Sequence, residues 1–232
     1  MTVMDRTVHL ACAQVGALAR ETPAPGRWLT PGEQERLALL ATDKRRAQFT
    51  AARWQARWLL AQVLDGTPRD WPLEAPHDAP PRVAGRPDIH ISISHSGDHA
   101  ACALSSGPVG IDLEQPRPRR DIAGLVSLCC TPGEQALFDG VPTQQRDDLF
   151  HELWTVKEAW LKRRGEWIAP KRLQQLDARL TNDGEIRTWC GGPWRLAVTA
   201  REVRWWTLEP GDDRSWHVAD HAPEGTGTDR RA

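Results

Sequence analysis

The segment Thr30-Pro31-Gly32-Glu33-Gln34 recurs letter for letter as Thr131-Pro132-Gly133-Glu134-Gln135, 101 residues further along the chain. In each copy the threonine is an expected helix N-cap, with proline at the first helical position and glutamate at the third. The same offset lays an apolar segment at Val8 over another at Val109. Five matching letters also arise by chance, so two interpretations stay open: coincidence, or a chain of two similar halves.

Hydrophobic patterning predicts strands and one long helix in each half. The first helix is expected from Pro31 to Leu64, with a break near Thr42, and the second over Gln145–Arg164. Residues 89–94 alternate isoleucine with polar side chains, which is the period of a strand. The predicted strands are Val8–Val15, 89–94, Ala100–Leu104, Val109–Glu114, Leu173–Leu180, Arg195–Thr199 and Val203–Leu208.

Composition narrows the class of protein. The chain has 232 residues, 40% of them hydrophobic, and a net charge of -1. This supports a packed core and argues against a dedicated nucleic-acid-binding protein, which carries a basic excess. The sequence has no long apolar run that would cross a membrane. Five cysteines with no C-x-x-C pair and no secretion signal predict free thiols and a cytoplasmic location.

Three carboxylates are candidates for a metal site. Asp112 and Glu114 stand two apart on a predicted strand, so both project from one face, about 7 Å apart along it. Trp154, Glu158 and Lys162 share one face of the second long helix. Oxygen ligands of this kind suit Mg²⁺. A solvated strand face and a surface ion pair are the alternatives for these two motifs taken separately.

Polar and basic side chains upstream are candidates for phosphate binding. Ser94 and His95 end a predicted strand and offer hydrogen-bond donors. Arg53 and Arg57 lie one helical turn apart, and Arg86 stands in Gly85-Arg86-Pro87. Arginine binds phosphate through two parallel hydrogen bonds, although each of these residues also suits an ordinary solvated surface.

Taken in order, these elements resemble the 4'-phosphopantetheinyl transferase superfamily, specifically its long members of the type that activates surfactin synthetase. The paired signature reads Gly110-Ile111-Asp112-Leu113-Glu114 and Trp154–Lys162 here, with Gly85-Arg86-Pro87 and Ser94-His95-Ser96 upstream. The resemblance implies an α+β fold of two similar strand–helix–strands halves, packed as a pseudo-dimer with the active site at their interface. We expect the halves at 1–105 and 106–219, followed by a disordered tail at 220–232.

The resemblance also implies a reaction, in which the phosphopantetheine arm of coenzyme A moves to a serine of an apo acyl or peptidyl carrier protein and 3',5'-ADP is released. Asp112, Glu114 and Glu158 would bind Mg²⁺, and Glu158 and Lys162 would be catalytic. The residues implied to bind coenzyme A are Arg53, Arg57, Arg86, Ser94, His95 and Lys157. A family lysine on the first helix falls near Ala52, which leaves the contacts to the 3'-phosphate less defined.

Carrier proteins of this family's reaction present acidic helices, so a basic segment beside the site is expected to dock them. Arg117, Arg119 and Arg120 follow Glu114 closely and are the candidates. We expect a monomer. Two other functions remain open: a non-catalytic module that binds carrier protein or coenzyme A, and a Mg²⁺-dependent nuclease. The nuclease is disfavoured because no lysine follows Glu114 closely and the net charge is -1.

Overall fold

A computed structural model of the chain describes residues 7–76, 80–116, 121–190, 193–207 and 211–222. The helices are α1 (Val15–Glu21), α2 (Pro31–Ala38), α3 (Asp43–Leu64), α4 (Ile122–Cys129), α5 (Pro132–Leu137), α6 (Thr143–Arg164) and α7 (Pro170–Leu173). The strands are β1 (Val8–Gln14), β2 (Leu73–Glu74), β3 (Arg82–Val83), β4 (His90–Ser96), β5 (His99–Ser105), β6 (Ile111–Glu114), β7 (Leu176–Thr181), β8 (Ile186–Trp189), β9 (Arg195–Val198), β10 (Val203–Trp205) and β11 (Asp213–Asp220).

Two sheets, each packed against one long helix, form an α+β fold, as predicted. The first sheet has the strand order β10-β1-β5-β4 and packs against α3. The second has the order β6-β9-β8-β11-β7 and packs against α6. The predicted break in the first helix is present, because α2 ends at Ala38 and α3 starts at Asp43. Across the described residues, no helix combines the length and the apolar character needed to cross a bilayer.

The repeated pentapeptide performs the same structural role in both halves. Glu33 accepts a hydrogen bond from the backbone of Thr30 at 3.0 Å, and Glu134 does so from Thr131 at 2.8 Å. Both glutamates are almost fully buried. Each is neutralised by a cation from the long helix of its own half, as described below. The repeat therefore corresponds to two similar structural units.

The two units also share structure. Strand β10 comes from the C-terminal part of the chain but pairs in parallel with β1. One hydrophobic cluster combines Leu10 and Ala103 of the first sheet with Ile111 and Leu196 of the second.

Asp220, expected to begin a disordered tail, instead ends β11, where it accepts hydrogen bonds from Arg172 at 2.7 and 2.8 Å. Residues 223–232 lie outside the described residues.

Strands β4 and β6 are edge strands of different sheets, and serine side chains connect them. From Ser92 onward every second residue of β4 is a serine, and each of these hydroxyl oxygens accepts a hydrogen bond from a backbone N–H in or just after β6. The pairs are Ile111 to Ser92 at 3.1 Å, Leu113 to Ser94 at 3.2 Å and Gln115 to Ser96 at 3.1 Å. We call this row of three hydroxyls the serine seam. It joins the two units where the candidate acids lie.

A close helix contact fixes the start of β6. A Cβ atom on Gly110 would lie 1.9 Å from the carbonyl oxygen of Ala159 and 2.6 Å from the backbone nitrogen of Arg163. Only glycine fits between the strand and α6 here. This contact brings the two carboxylates of β6 next to the carboxylate of α6.

Candidate active site

Three carboxylates from two elements meet at the seam. Oxygen atoms of Asp112, Glu114 and Glu158 all lie within 4.8 Å of one another. Asp112 and Glu114 share a face of β6, while Ile111 and Leu113 point into the core, as strand periodicity predicts. Because like charges this close repel each other, the cluster favours either a bound proton or a cation.

The carboxylates are well suited to a hard divalent cation. Asp112 is 2% exposed, and its Oδ2 atom is buried without a hydrogen-bond partner among the described residues. A buried acceptor of this kind is costly unless a ligand satisfies it. Burial, reinforced by the nearby charge of Asp112, raises the pKa of Glu158 to about 7. The donor set consists of oxygen atoms, which Mg²⁺ prefers.

Lys162 lies against the same carboxylates. Its Nζ donates to Asp112 Oδ1 at 2.8 Å and lies 3.2 Å from Glu158 Oε1. Burial alone would lower the pKa of Lys162, but the two carboxylates outweigh burial and raise it. The lysine is therefore a stable ammonium beside the acids. Trp154 Nε1 donates to Glu158 Oε2 at 2.8 Å and fixes that carboxylate from the other side.

One of the three acids, Glu158, opens onto a large cavity whose charged lining is mainly basic. Its volume is about 920 Å³, and Glu158 and Lys162 form part of its wall. Other cationic side chains line it from both halves of the chain. They are Arg36, Arg53, Arg82, Arg86, Arg163 and Arg164. A cavity with this charge suits a ligand that carries several phosphate groups.

Two lining side chains carry buried polar atoms that lack partners. Arg53 is 6% exposed, and its Nη1 makes no hydrogen bond to any described residue, although Glu33 lies 3.9 Å away. Burial lowers the pKa of Arg53 to about 10, which still leaves it charged at neutral pH. His95 Nδ1 is likewise buried without a partner, and burial lowers the pKa of His95. Both residues are suited to an anion that enters the cavity.

Comparisons with known proteins identify a family that the chain resembles. The family model of the 4'-phosphopantetheinyl transferase superfamily matches residues 108–219, which carry all three acids and Lys162. About half of the chain is thus similar to this superfamily. The prediction of a phosphopantetheinyl transferase, made from the paired signature, is confirmed.

Several curated relatives are transferases of the superfamily. The chain is 27% identical over 200 residues to 4'-phosphopantetheinyl transferase HetI of Nostoc sp., with 84% of each chain covered. It is 30% identical to 4'-phosphopantetheinyl transferase Sfp of Bacillus subtilis, with 46% of each covered. It is 36% identical to 4'-phosphopantetheinyl transferase AcpT of Escherichia coli, over 49% of this chain and 57% of that protein. The chain thus spans about half the length of these last two relatives.

A solved structure of an acyl carrier protein synthase from Mycobacterium tuberculosis also matches, at 23% identity and a TM-score of 0.30. The match covers 43% of this chain and 94% of that one.

Two cations expected to bind coenzyme A lie in the interior instead. Arg57 is fully buried and donates to both carboxylate oxygens of Glu33, at 3.1 and 2.5 Å. Lys157 is 2% exposed and donates to Glu134 at 2.5 Å. Neither side chain lines the cavity. Their assignment to phosphate binding is therefore corrected: each neutralises the buried glutamate of its own half.

Ser94 also has a different contact from the one expected. Its hydroxyl donates to Asp112 Oδ1 at 2.9 Å, and Lys162 Nζ lies 3.3 Å from it. Ser94 therefore orients a carboxylate and does not line the cavity. Of the other residues assigned to coenzyme A, Arg53, Arg86 and His95 line the cavity. Arg86 is held at 2.7 Å by Asp88, whose hydrogen bonds raise the pKa of Arg86.

Some features of the site were not expected from the sequence. Arg36 and Arg82 add positive charge to the cavity, and Trp167 lines it while remaining 72% exposed. Nothing in the spacing of these residues distinguishes them from ordinary surface positions. Arg117, Arg119 and Arg120, the predicted docking segment, lie outside the described residues.

Proposed function

We propose that the chain transfers the 4'-phosphopantetheine arm of coenzyme A to a serine hydroxyl of an apo acyl or peptidyl carrier protein, with Mg²⁺ bound by Asp112, Glu114 and Glu158. The observation that carries this proposal is the meeting of these three carboxylates with Lys162, beside a cavity that is lined by Glu158, Lys162 and several arginines. Similarity to the superfamily supports the reaction class.

The transfer is attack of an oxygen nucleophile on phosphorus. The carrier serine oxygen bonds to the β-phosphorus of coenzyme A, and the bond from that phosphorus to the bridging pyrophosphate oxygen breaks. The bonding electrons leave with 3',5'-ADP. Mg²⁺, when bound, neutralises charge on the pyrophosphate oxygens. Positioning and charge neutralisation supply most of the catalysis in reactions of this kind.

Residues of this chain take the remaining roles. Glu158 accepts the proton of the carrier serine, directly or through a water, because its carboxylate lies at the cavity wall beside Lys162 and the other two acids. Lys162 stabilises the leaving phosphate with its ammonium group. Arg53, Arg86 and His95 hold the phosphates of the nucleotide, since all three line the cavity.

The direct test is the mass of the carrier. An apo carrier protein incubated with coenzyme A, Mg²⁺ and this chain gains one phosphopantetheine by intact mass spectrometry. A panel of fatty-acid, polyketide and nonribosomal-peptide carriers identifies the carrier served. Asp112→Asn and Glu158→Gln abolish the gain, whereas Glu35→Gln, a change at an exposed carboxylate, leaves it intact. If no carrier in the panel gains mass, the proposed reaction is wrong.

A binding measurement tests the phosphate contacts separately. We expect Arg53→Ala to weaken binding of 3',5'-ADP by about 10- to 100-fold, since hydrogen bonds to charged groups contribute about 1.5–3 kcal/mol each. Arg27→Ala, at an exposed arginine, is the matched control. Equal affinity of both variants in isothermal titration calorimetry would remove Arg53 from the nucleotide site.

The carrier is proposed to dock through its acidic helices on Arg117, Arg119 and Arg120. Reversing the charge of Arg119 and Arg120 then raises KM for the carrier and leaves coenzyme A affinity unchanged. An unchanged KM argues against this surface. We further propose that the chain acts as a monomer in the cytoplasm, where a reducing environment suits its free thiols.

A further inference from the structure

The hydroxyl groups of the serine seam make hydrogen bonds both to the neighbouring sheet and to the candidate acids. Each hydroxyl of the seam accepts one backbone N–H from the neighbourhood of β6, which fixes the oxygen of the serine. A serine hydroxyl can also donate one hydrogen bond of its own. The three serines differ in where that proton goes.

The last serine of the seam donates to a carboxylate of the metal site. Ser96 Oγ lies 2.8 Å from Glu114 Oε2, and the same oxygen accepts from the backbone of Gln115 at 3.1 Å. Ser94 has a similar relation to Asp112, but Lys162 also contacts that pair. The Ser96 contact is therefore the simpler one to test.

The backbone after Ser96 is held tightly. Gly97 adopts a left-handed φ of 55°, and a Cβ atom there would lie 1.4 Å from the side-chain oxygen of Gln115. Gln48 Nε2 donates to the carbonyl of Gly97 at 2.7 Å. These contacts restrain the backbone at the end of β4. The position of the Ser96 hydroxyl is therefore well defined, and it can orient the carboxylate of Glu114.

We propose that Ser96 is a positioning residue, whose hydroxyl holds the carboxylate of Glu114 in the orientation that binds the divalent cation. The inference rests on the proposed metal site. Partners that orient a metal ligand from behind change metal affinity by about 10- to 100-fold when they are removed. Ser96 reaches the cation only through Glu114 and does not take part in the chemical step.

Ser92 provides a matched control. It lies on the same strand, carries the same hydroxyl and accepts the same kind of backbone hydrogen bond, from Ile111 at 3.1 Å. Among the described residues it makes no hydrogen bond to a carboxylate. Ser92→Ala and Ser96→Ala therefore remove the same kind of connection between the sheets, but only the second also removes a hydrogen bond to an acid of the cluster.

The test measures binding of Mn²⁺, titrated into the protein alone and followed by loss of the free-ion signal in electron paramagnetic resonance. We expect Ser96→Ala to raise Kd about 10- to 100-fold. Ser92→Ala and Ser96→Thr, which keeps the hydroxyl, should stay within about threefold of the parent. Thermal melting of each variant, recorded in parallel, verifies that the comparison is made on folded protein.

The outcomes separate this inference from the proposed function. If the parent binds Mn²⁺ and Ser96→Ala binds it equally well, or no worse than Ser92→Ala, the positioning role is wrong while the metal site stands. If the parent does not bind Mn²⁺ and Mg²⁺ does not support transfer, both the metal site and the positioning role are wrong.

Discussion

Replacing Lys157 with methionine distinguishes a structural role from ligand binding. Methionine keeps an unbranched apolar stem but removes the ammonium group. That group donates three hydrogen bonds in the interior, to Glu134 at 2.5 Å and to the carbonyls of Cys129 and Leu173 at 2.9 Å each. The variant leaves a carboxylate that is 1% exposed without its counter-charge.

The expected loss follows from these contacts. Removing one partner of a buried ion pair costs about 3–5 kcal/mol in the free energy of unfolding. For a domain of about 150–250 residues, each kcal/mol lowers the melting temperature by about 2–4 °C. We therefore expect Lys157→Met to melt about 6–20 °C below the parent. Adding Glu134→Gln removes the stranded charge and restores part of the loss.

Differential scanning calorimetry measures this effect, and titration with 3',5'-ADP below the melting transition measures the ligand. Lys171→Met, at an exposed lysine, serves as the control and should change stability by less than about 0.5 kcal/mol. The reasoning is refuted if Lys157→Met melts with the parent but binds 3',5'-ADP more weakly. That result would return Lys157 to the nucleotide site.

Three further predictions concern other parts of the molecule. Gly110→Ala should destabilise the chain strongly in thermal melting, because its Cβ would overlap the carbonyl oxygen of Ala159; a parent-like melting curve would contradict the close contact. Burial raises the pKa of Cys12 and Cys130 to about 12 each, so both should react slowly with Ellman's reagent at pH 8 until guanidinium unfolds the protein. The raised pKa of Glu158, about 7, means that folding destabilises its charged form, so metal-free stability declines as pH rises from about 4.5 to 7. Glu158→Gln should then melt above the parent at pH 8 but level with it at pH 5, and an equal difference at both pH values would exclude this titration.

Much of the site could be predicted because short periods in the sequence determine which side chains share a face. The two-residue spacing of Asp112 and Glu114 and the four-residue spacing of Glu158 and Lys162 place their carboxylates and ammonium correctly. What brings the strand and helix together is the missing side chain at Gly110, a tertiary contact that no local period reveals.

The misassigned cations show where sequence reasoning fails. Arg57 and Lys157 carry charges that suit phosphate equally well, and charge type does not reveal which helix face is buried. The repeat does indicate that Glu33 and Glu134 share a role, because they occupy the same position in both copies. An N-terminal helical glutamate usually faces solvent, so its pairing with an interior cation required the structure.

Strands β8 and β11 were missed for a different reason. In β11, the buried Trp216 and Val218 alternate with polar residues, which is a strand period. The segment is also rich in charged residues and lies near a Gly-rich C-terminus. Its composition therefore does not predict a strand, although its periodicity does. Pairing with β7 and β8 on its two sides makes β11 an interior strand of its sheet despite its polar composition.

The buried glutamates also affect the local unfolding of the two short helices whose first turns contain them. Helices α2 and α5 have eight and six residues, too short to persist on their own. Each is anchored at its first turn by an acid that bonds to the long helix of the same half. Fraying of either short helix would expose that acid's partner, so neither helix opens independently of its neighbour. Amide hydrogens of α2 and α5 are therefore expected to exchange with deuterium at the slow rate of the long helices, despite lying near the surface.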